Sequence, residues 1–242
     1  MKKITVLLAD NQKIVREGLR MLVEREGDIE IVGEAQTGRE AVELAQRLHP
    51  DVVIMEINLP MLNGFQATRQ IRRFAPETKV LILSAYASPG YIEQILSLGA
   101  TGYLIKQTSA EILARAIREV QSGRTYFSST IAKYLNKKYR SIKDIALPHQ
   151  EKEDSLTIRE DEVLQLIAEG LANKEIANEI GISIKTVEKH RQNLMSKLDI
   201  HEIAGLTRYA IATGVIENAA AQPATDDIDS LFLPPIKQLS FA

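Results

Sequence analysis

Five side chains able to do chemistry stand where short apolar runs end. Asp10 and Asn11 follow Ile4–Ala9, Glu56 ends Val52–Glu56, Ser84 ends Val80–Ser84, and Lys106 follows Gly102–Ile105. Brought together, carboxylates, a carboxamide, a hydroxyl and an ammonium can bind a divalent cation, hold phosphoryl oxygens, or satisfy one another as a buried ion pair. A second group lies in Ile184–Leu198, where Lys185, Lys189, Arg191 and Lys197 accompany a single acid, Glu188. That segment offers donors and positive charge to an anion. His190 within it reads equally as a phosphate contact or as a packed or capping histidine.

The first group needs a parallel sheet to gather it. From residue 1 to about 122, the runs Ile4–Ala9, Ile29–Gly33, Val52–Glu56, Val80–Ser84 and Gly102–Ile105 alternate with helical patterns near Ile14–Glu26, Gly38–Leu48, Gly64–Phe74, Pro89–Leu98 and Ser109–Ser122. Runs that are apolar on both faces, separated by helices, predict a doubly wound α/β domain with the sheet covered on both sides. Ligands in such folds bind beyond the carboxyl ends of the strands, at the topological switch point. The five side chains map to those ends.

The second group needs a helix with one buried side. Val187, Leu194, Met195 and Leu198 fall on one face of Ile184–Leu198, opposite Lys185, Glu188, Lys189, Gln192 and Lys197. The preceding Ala172–Ile180 is a second short amphipathic pattern, followed by Gly181 at a helix C-cap position and Ser183 at the next N-cap. Two short helices joined by a tight turn with glycine predict a helix-turn-helix, whose second helix enters the DNA major groove. A plain helical bundle is the bland alternative. Residues 155–216 read as four helices, Thr157–Ala168, Asn173–Ile180, Ile184–Leu198 and Glu202–Thr213, the first opened by a Thr157/Glu160 capping box. Residues 123–154 read as a linker, basic and partly helical over Tyr126–Lys143 and polar over Leu147–Asp154. Residues 217–242 have no periodicity and read as a disordered tail, whose apolar end (Leu231, Phe232, Leu233, Phe241) could dock elsewhere.

Composition bounds these readings. The 242 residues allow two domains, and the absence of cysteine excludes disulfides and thiolate metal sites. No apolar run reaches membrane-span length, and the run after Met1-Lys2-Lys3 ends at Asp10, so it fits a first strand better than a leader. A soluble cytoplasmic protein is expected. The net charge of −2 does not mark a nucleic-acid binder, so DNA affinity has to come from charge asymmetry on one helix.

Both halves resemble the two-domain response regulators of the FixJ/NarL type, with an N-terminal receiver and a LuxR-family output domain. The resemblance spans roughly residues 3–216 and rests on VLLAD-N-Q followed by VREGLR, PDVVIM-E-INLPMLNG, LILSAY, GATGYLIK, and LTIREDEVLQLIAEGLANKEIANEIGISIKTVEKHRQNLMSKL. It implies a flavodoxin- or CheY-like α/β doubly wound receiver over 1–122, a linker over 123–154, and an all-α four-helix helix-turn-helix domain over 155–216. It further implies a cytoplasmic transcription regulator rather than an enzyme, acting as a homodimer on inverted-repeat double-stranded DNA and partnered by a histidine kinase. By resemblance Asp10 holds a metal, Ser84 and Lys106 bind phosphoryl oxygens, and Tyr103 follows Ser84 inward. Glu188, Lys189 and Gln192 read base edges. Lys174, Lys185, Thr186, His190 and Lys197 contact phosphate, and Ile203, Leu206 and Ala210 form part of a dimer surface, unless these three are simply core.

Two positions depart from the family. Asn11 stands where the second Mg²⁺-binding acid belongs, and Glu56 stands at the phospho-acceptor aspartate. Asn11 offers an oxygen but no charge, leaving Asp10 as a weak Mg²⁺ ligand, so no cofactor is required. Glu56 is longer by one methylene, about 1.5 Å, and misplacement by about 1 Å can cost a transfer reaction roughly a hundredfold. The same methylene carries a charge toward where a phosphoryl group would sit. The expectation is a phosphorylation-independent receiver in which Glu56 imitates the phosphorylated state, which counts against a kinase partner. The alternatives are a scaffold in which Glu56 only pairs with Lys106, a conventional phosphorylation-switched regulator, an engineered Asp-to-Glu phosphomimetic, and, last, a small hydrolase on the same fold.

Overall fold

In the computed structural model, residues 2–85, 89–142 and 156–216 are described. Six strands run in chain order as β1 (Ile4–Ala9), β2 (Ile29–Ala35), β3 (Val52–Met55), β4 (Lys79–Ser84), β5 (Gly102–Ile105) and β6 (Tyr126–Phe127). All pair in parallel, in the spatial order β2-β1-β3-β4-β5-β6. Five helices follow the first five strands: α1 (Lys13–Glu24), α2 (Gly38–Leu48), α3 (Gly64–Phe74), α4 (Pro89–Ser97) and α5 (Ala110–Gln121). Val23 of α1 and Leu113, Ala116, Ile117 and Val120 of α5 pack on Val6, Leu8, Ile54 and Leu81. The other sheet face, with Leu7, Val53 and Ile82, carries Ala41 and Val42 of α2, Phe65 and Ile71 of α3, and Ile92 and Ile95 of α4. Each buried Val, Leu or Ile contributes about 1.5–3 kcal/mol. Strands buried on both faces therefore lock the register that carries their polar ends to one rim.

The sheet departs from the sequence reading at its edge. Tyr126–Phe127, assigned to the linker, adds the sixth strand, and α6 (Ser129–Ile142) follows, with Ile131 fully buried in the sheet core. A two-residue strand is too short to show an alternation pattern, so its own sequence gave no sign of it. The linker segment Leu147–Asp154 and the tail residues Leu231, Phe232, Leu233 and Phe241 lie outside the described residues.

Residues 156–216 form four helices: α7 (Ile158–Ala168), α8 (Asn173–Ile180), α9 (Ile184–Leu198) and α10 (Ile203–Ala212). The caps explain where they start and stop. Thr157 Oγ1 accepts from the Glu160 N–H while Glu160 accepts from the Thr157 N–H, and Ser183 Oγ accepts from the Thr186 N–H. Gly181 closes α8 with φ of +68°, a conformation that costs glycine little. Val187 and Leu194 of α9 are fully buried against Val163, Leu166, Ile176 and Leu206, with Met195 and Leu198 packed at the margin. Among the described residues no helix is long and apolar enough to cross a membrane.

Candidate functional site

β1 and β3 are neighbours at the point where the strand order reverses, so their ends stand side by side, with Ala9 paired to Met55. The next residues, Asp10 and Glu56, are both buried there. Lys106, arriving from β5, places its Nζ 2.6 Å from Asp10 Oδ2 and 2.7 Å from Glu56 Oε2. Ser84, at the end of β4, donates from Oγ to Glu56 Oε1 at 2.7 Å. The same oxygen accepts from the N–H groups of Ile57 at 2.6 Å and Asn58 at 3.3 Å, so the carboxylate of Glu56 is fully engaged. Asp10 in turn accepts from the Gln12 N–H, and the buried Arg16 guanidinium holds the Asp10 carbonyl at 2.8 Å. Burial works against the Lys106 ammonium, but Glu56 and Asp10 outweigh it and hold its pKa above the usual lysine value. Tyr103 is 0% exposed and hydrogen-bonded to Ser84; burial, then the charge of Glu56, pushes its phenol above the ordinary range.

Mg²⁺ takes hard oxygen ligands, usually one or two carboxylates plus waters. Here both buried carboxylates face one ammonium, and Asn11, with no charge to offer, is exposed. The donor set does not fit the cation that the fold family uses.

On α9, Glu188, Lys189 and Gln192 are exposed, as are Lys185 and Lys174, while Thr186 is bonded to Ser183 and His190 is half-buried. Lys197 is exposed as well, with Nζ 2.8 Å from Glu160 Oε2, the N3 residue of the α7 capping box. Leu206 and Ala210 are 0% exposed and belong to the core; the face of α10 that carries them packs on α7, which leaves Ile203, 55% exposed, as the apolar candidate for a dimer surface. Arg191 also turns inward, donating to Asn173 Oδ1 at 2.9 Å.

A third locus went unread in the sequence. The loop after Glu56 meets α7: Gln165, 1% exposed, donates from Nε2 to the Leu59 carbonyl at 3.0 Å and accepts from the Asn63 N–H at 2.8 Å. Glu169 accepts from the Met61 N–H at 3.2 and 3.3 Å. Burial pushes the Glu169 carboxyl above its usual range, against the hydrogen bonds from Gln165 and Met61. Gln70 Nε2 donates to Glu162 Oε1 at 2.8 Å, Arg39 pairs with Glu179 at 2.9 Å, and Asn63 Nδ2 reaches the Val215 carbonyl at 3.3 Å. A glutamine flanked by Leu164 and Leu166 was the available signal, since a polar side chain on a buried stripe needs partners.

A doubly wound domain with an acid, serine and lysine gathered at its switch point, followed by a helix-turn-helix, defines a two-domain response regulator. Residues 6–118 match the response regulator receiver domain, and residues 154–210 match the bacterial regulatory proteins of the luxR family. The chain is 40% identical to the transcriptional regulatory protein LiaR of Bacillus subtilis over 207 residues, covering 86% of this chain and 96% of that protein. It is 39% identical to the transcriptional regulatory protein MctR of Rhizobium johnstonii, covering 88% and 96%. Among solved structures, the RcsB response regulator of Salmonella typhimurium, studied for its conformational dynamism in DNA interaction, aligns with a TM-score of 0.53 and 25% identity, covering 88% of this chain and all of that one. The chain belongs to the LuxR family of two-component response regulators, which bind DNA.

Proposed function

We propose that this regulator controls transcription without phosphoryl transfer, with Glu56 standing in permanently for the phosphorylated acceptor. The observation that carries the reading is the Ser84 Oγ donation to Glu56 Oε1 at 2.7 Å, with Tyr103 buried behind it and Lys106 on the second carboxylate oxygen. Serine and lysine therefore already hold the negative oxygens that a phosphoryl group would otherwise bring to them. A histidine kinase is not needed for that state. Its role is that of a regulator and not an enzyme, working in the cytoplasm as a homodimer on an inverted repeat of double-stranded DNA, and Ile203 contributes to the contact between output domains. Glu188, Lys189 and Gln192 read base edges, while Lys174, Lys185, Thr186 and His190 meet phosphates.

The test is fluorescence anisotropy on an inverted-repeat DNA library at one stated salt concentration, comparing the protein as purified with Glu56→Asp, without a phosphodonor. The expected result is specific dimeric binding that weakens in Glu56→Asp. Uptake of phosphoryl label at Glu56 from a small-molecule donor, with DNA binding only afterward, contradicts the proposal.

A further inference from the structure

We infer that Gln165, Glu169 and Met61 form a clamp that holds the output domain on the receiver in an orientation that presents the recognition helix to DNA. The inference goes beyond the role of Glu56 and rests only on the DNA-binding reading.

Three independent observations meet in the loop between β3 and α3. The loop is strained and packed from both sides. Met61 adopts a left-handed φ of +66°, unusual for a side chain of its size. A Cβ on Gly64 would collide with the Glu56 carbonyl oxygen, and one on Gly38 with the carbonyl of Leu62. Such a conformation persists where its surroundings over-determine it.

Part of those surroundings comes from the other domain. Gln165 closes on Leu59 and Asn63 with both ends of its amide, and Glu169 takes the Met61 N–H. The Met61 side chain leaves its own domain and packs against the core of the output domain. A strained residue therefore plugs one domain from the other, with its N–H held by Glu169 at the C-cap of α7 and its neighbours Leu59 and Asn63 held by Gln165.

The loop begins at Glu56, whose carboxylate accepts from Ile57 and Asn58, so the acidic pocket shapes the segment that α7 grips. Val215 and Gly214, just after α10, join the contact through Asn63 and Tyr91. None of this touches the polar face of α9. Glu188, Lys189 and Gln192 stay exposed, as does Ile203. Docking through α7 and the end of α10 thus leaves the base-reading face open. A domain held in place has less freedom to lose on binding DNA than one tethered by chain alone.

The experiment uses the full chain in two variants, one on each side of the contact: the double substitution Gln165→Ala with Glu169→Ala, and Met61→Gly, which keeps the left-handed backbone while deleting the plug. Small-angle scattering reads the separation of the domains, and anisotropy on the inverted-repeat DNA selected by the unmodified protein reads affinity. We expect both variants to become more extended and to bind DNA more weakly, on the order of tenfold. Unchanged dimensions in both variants overturn the clamp. Extended variants that bind DNA as tightly as the original, or more tightly, overturn its presenting role. Unmodified protein that selects no DNA fails the DNA-binding reading instead, while the scattering arm still decides the clamp.

Discussion

Removing the Lys106 ammonium should expose the charge logic of the receiver. Lys106→Met keeps most of the side-chain volume but leaves Asp10 and Glu56, both buried, with no cation between them. Breaking a buried ion pair from one side costs about 3–5 kcal/mol, since an uncompensated charge stays behind. Two such charges held a few ångströms apart repel by about 4 kcal/mol at an effective dielectric of about 20. Part of this is relieved when Glu56 leans on Ser84 and its two backbone donors, so we expect about 3 kcal/mol lost at pH 7.5. The pH dependence carries the sharper signature. In the unmodified protein Lys106 has a raised pKa, so its stabilisation is complete below the ordinary lysine value of 10.5 and is lost only as pH climbs past the raised one. The variant lacks that group, so the loss of stability that Lys106 brings to the unmodified protein at alkaline pH should be absent from it. Urea unfolding at pH 7.5 and at pH 11 measures both effects. A loss below about 1 kcal/mol at pH 7.5, with the same alkaline decline in both proteins, would refute the assignment of Lys106 as the counter-charge of this pocket.

Three further outcomes follow from named contacts. Burial raises the Asp161 carboxyl from 3.8 to about 6, opposed by Arg69 and Gln66 across the domain contact and assisted by Glu162. Its charge therefore penalises docking above pH 6, and the penalty fades as pH falls through 6 toward 4; scattering should report tighter docking at pH 5 than at pH 8, with a smaller change in Asp161→Asn, where Glu169 alone remains of the two carboxyls that burial raises at this contact. Lys189→Ala should cost roughly 1–3 kcal/mol of DNA affinity and relax base preference, whereas Lys174→Ala should weaken all sequences alike and lower the salt slope by about 1; identical, sequence-independent losses would contradict the assignment. Gly38→Ala should destabilise the receiver by about 2 kcal/mol or more, because a Cβ meets the Leu62 backbone, while Gly18→Ala on α1, with open space around it, should be neutral or stabilising in thermal melts.

The strand ends were legible because their chemistry is local to single residues on strongly apolar runs. Asp10, Glu56, Ser84 and Lys106 could be placed on one rim from periodicity alone, and the left-handed Gly181 and the Ser183 cap marked the turn before α9. What escaped was anything decided by a second surface. The pairing of Lys197 with Glu160 on another helix leaves no mark in the pattern of its own helix. Leu206 and Ala210 have the spacing of an exposed stripe and of a buried one alike, and the packing of α10 on α7 chooses. β6 forms because β5 offers an open edge, so its own two residues carry no pattern.

The two departures from the family pattern make sense as one adjustment rather than two. A pocket with three carboxylates around one ammonium would keep two uncompensated charges at a buried site and would need a divalent cation to balance them. Asparagine at position 11 removes one of the three. The longer glutamate at 56 then carries its carboxylate onto Lys106 and Ser84, where one cation, one hydroxyl and two backbone N–H groups satisfy it. What is left, two carboxylates on a single lysine, carries one uncompensated charge in place of two, and the hydroxyl and backbone N–H groups at Glu56 help to hold it. The loop that leaves this pocket is the one that α7 grips through Gln165, so the pocket and the docking contact share one segment of chain.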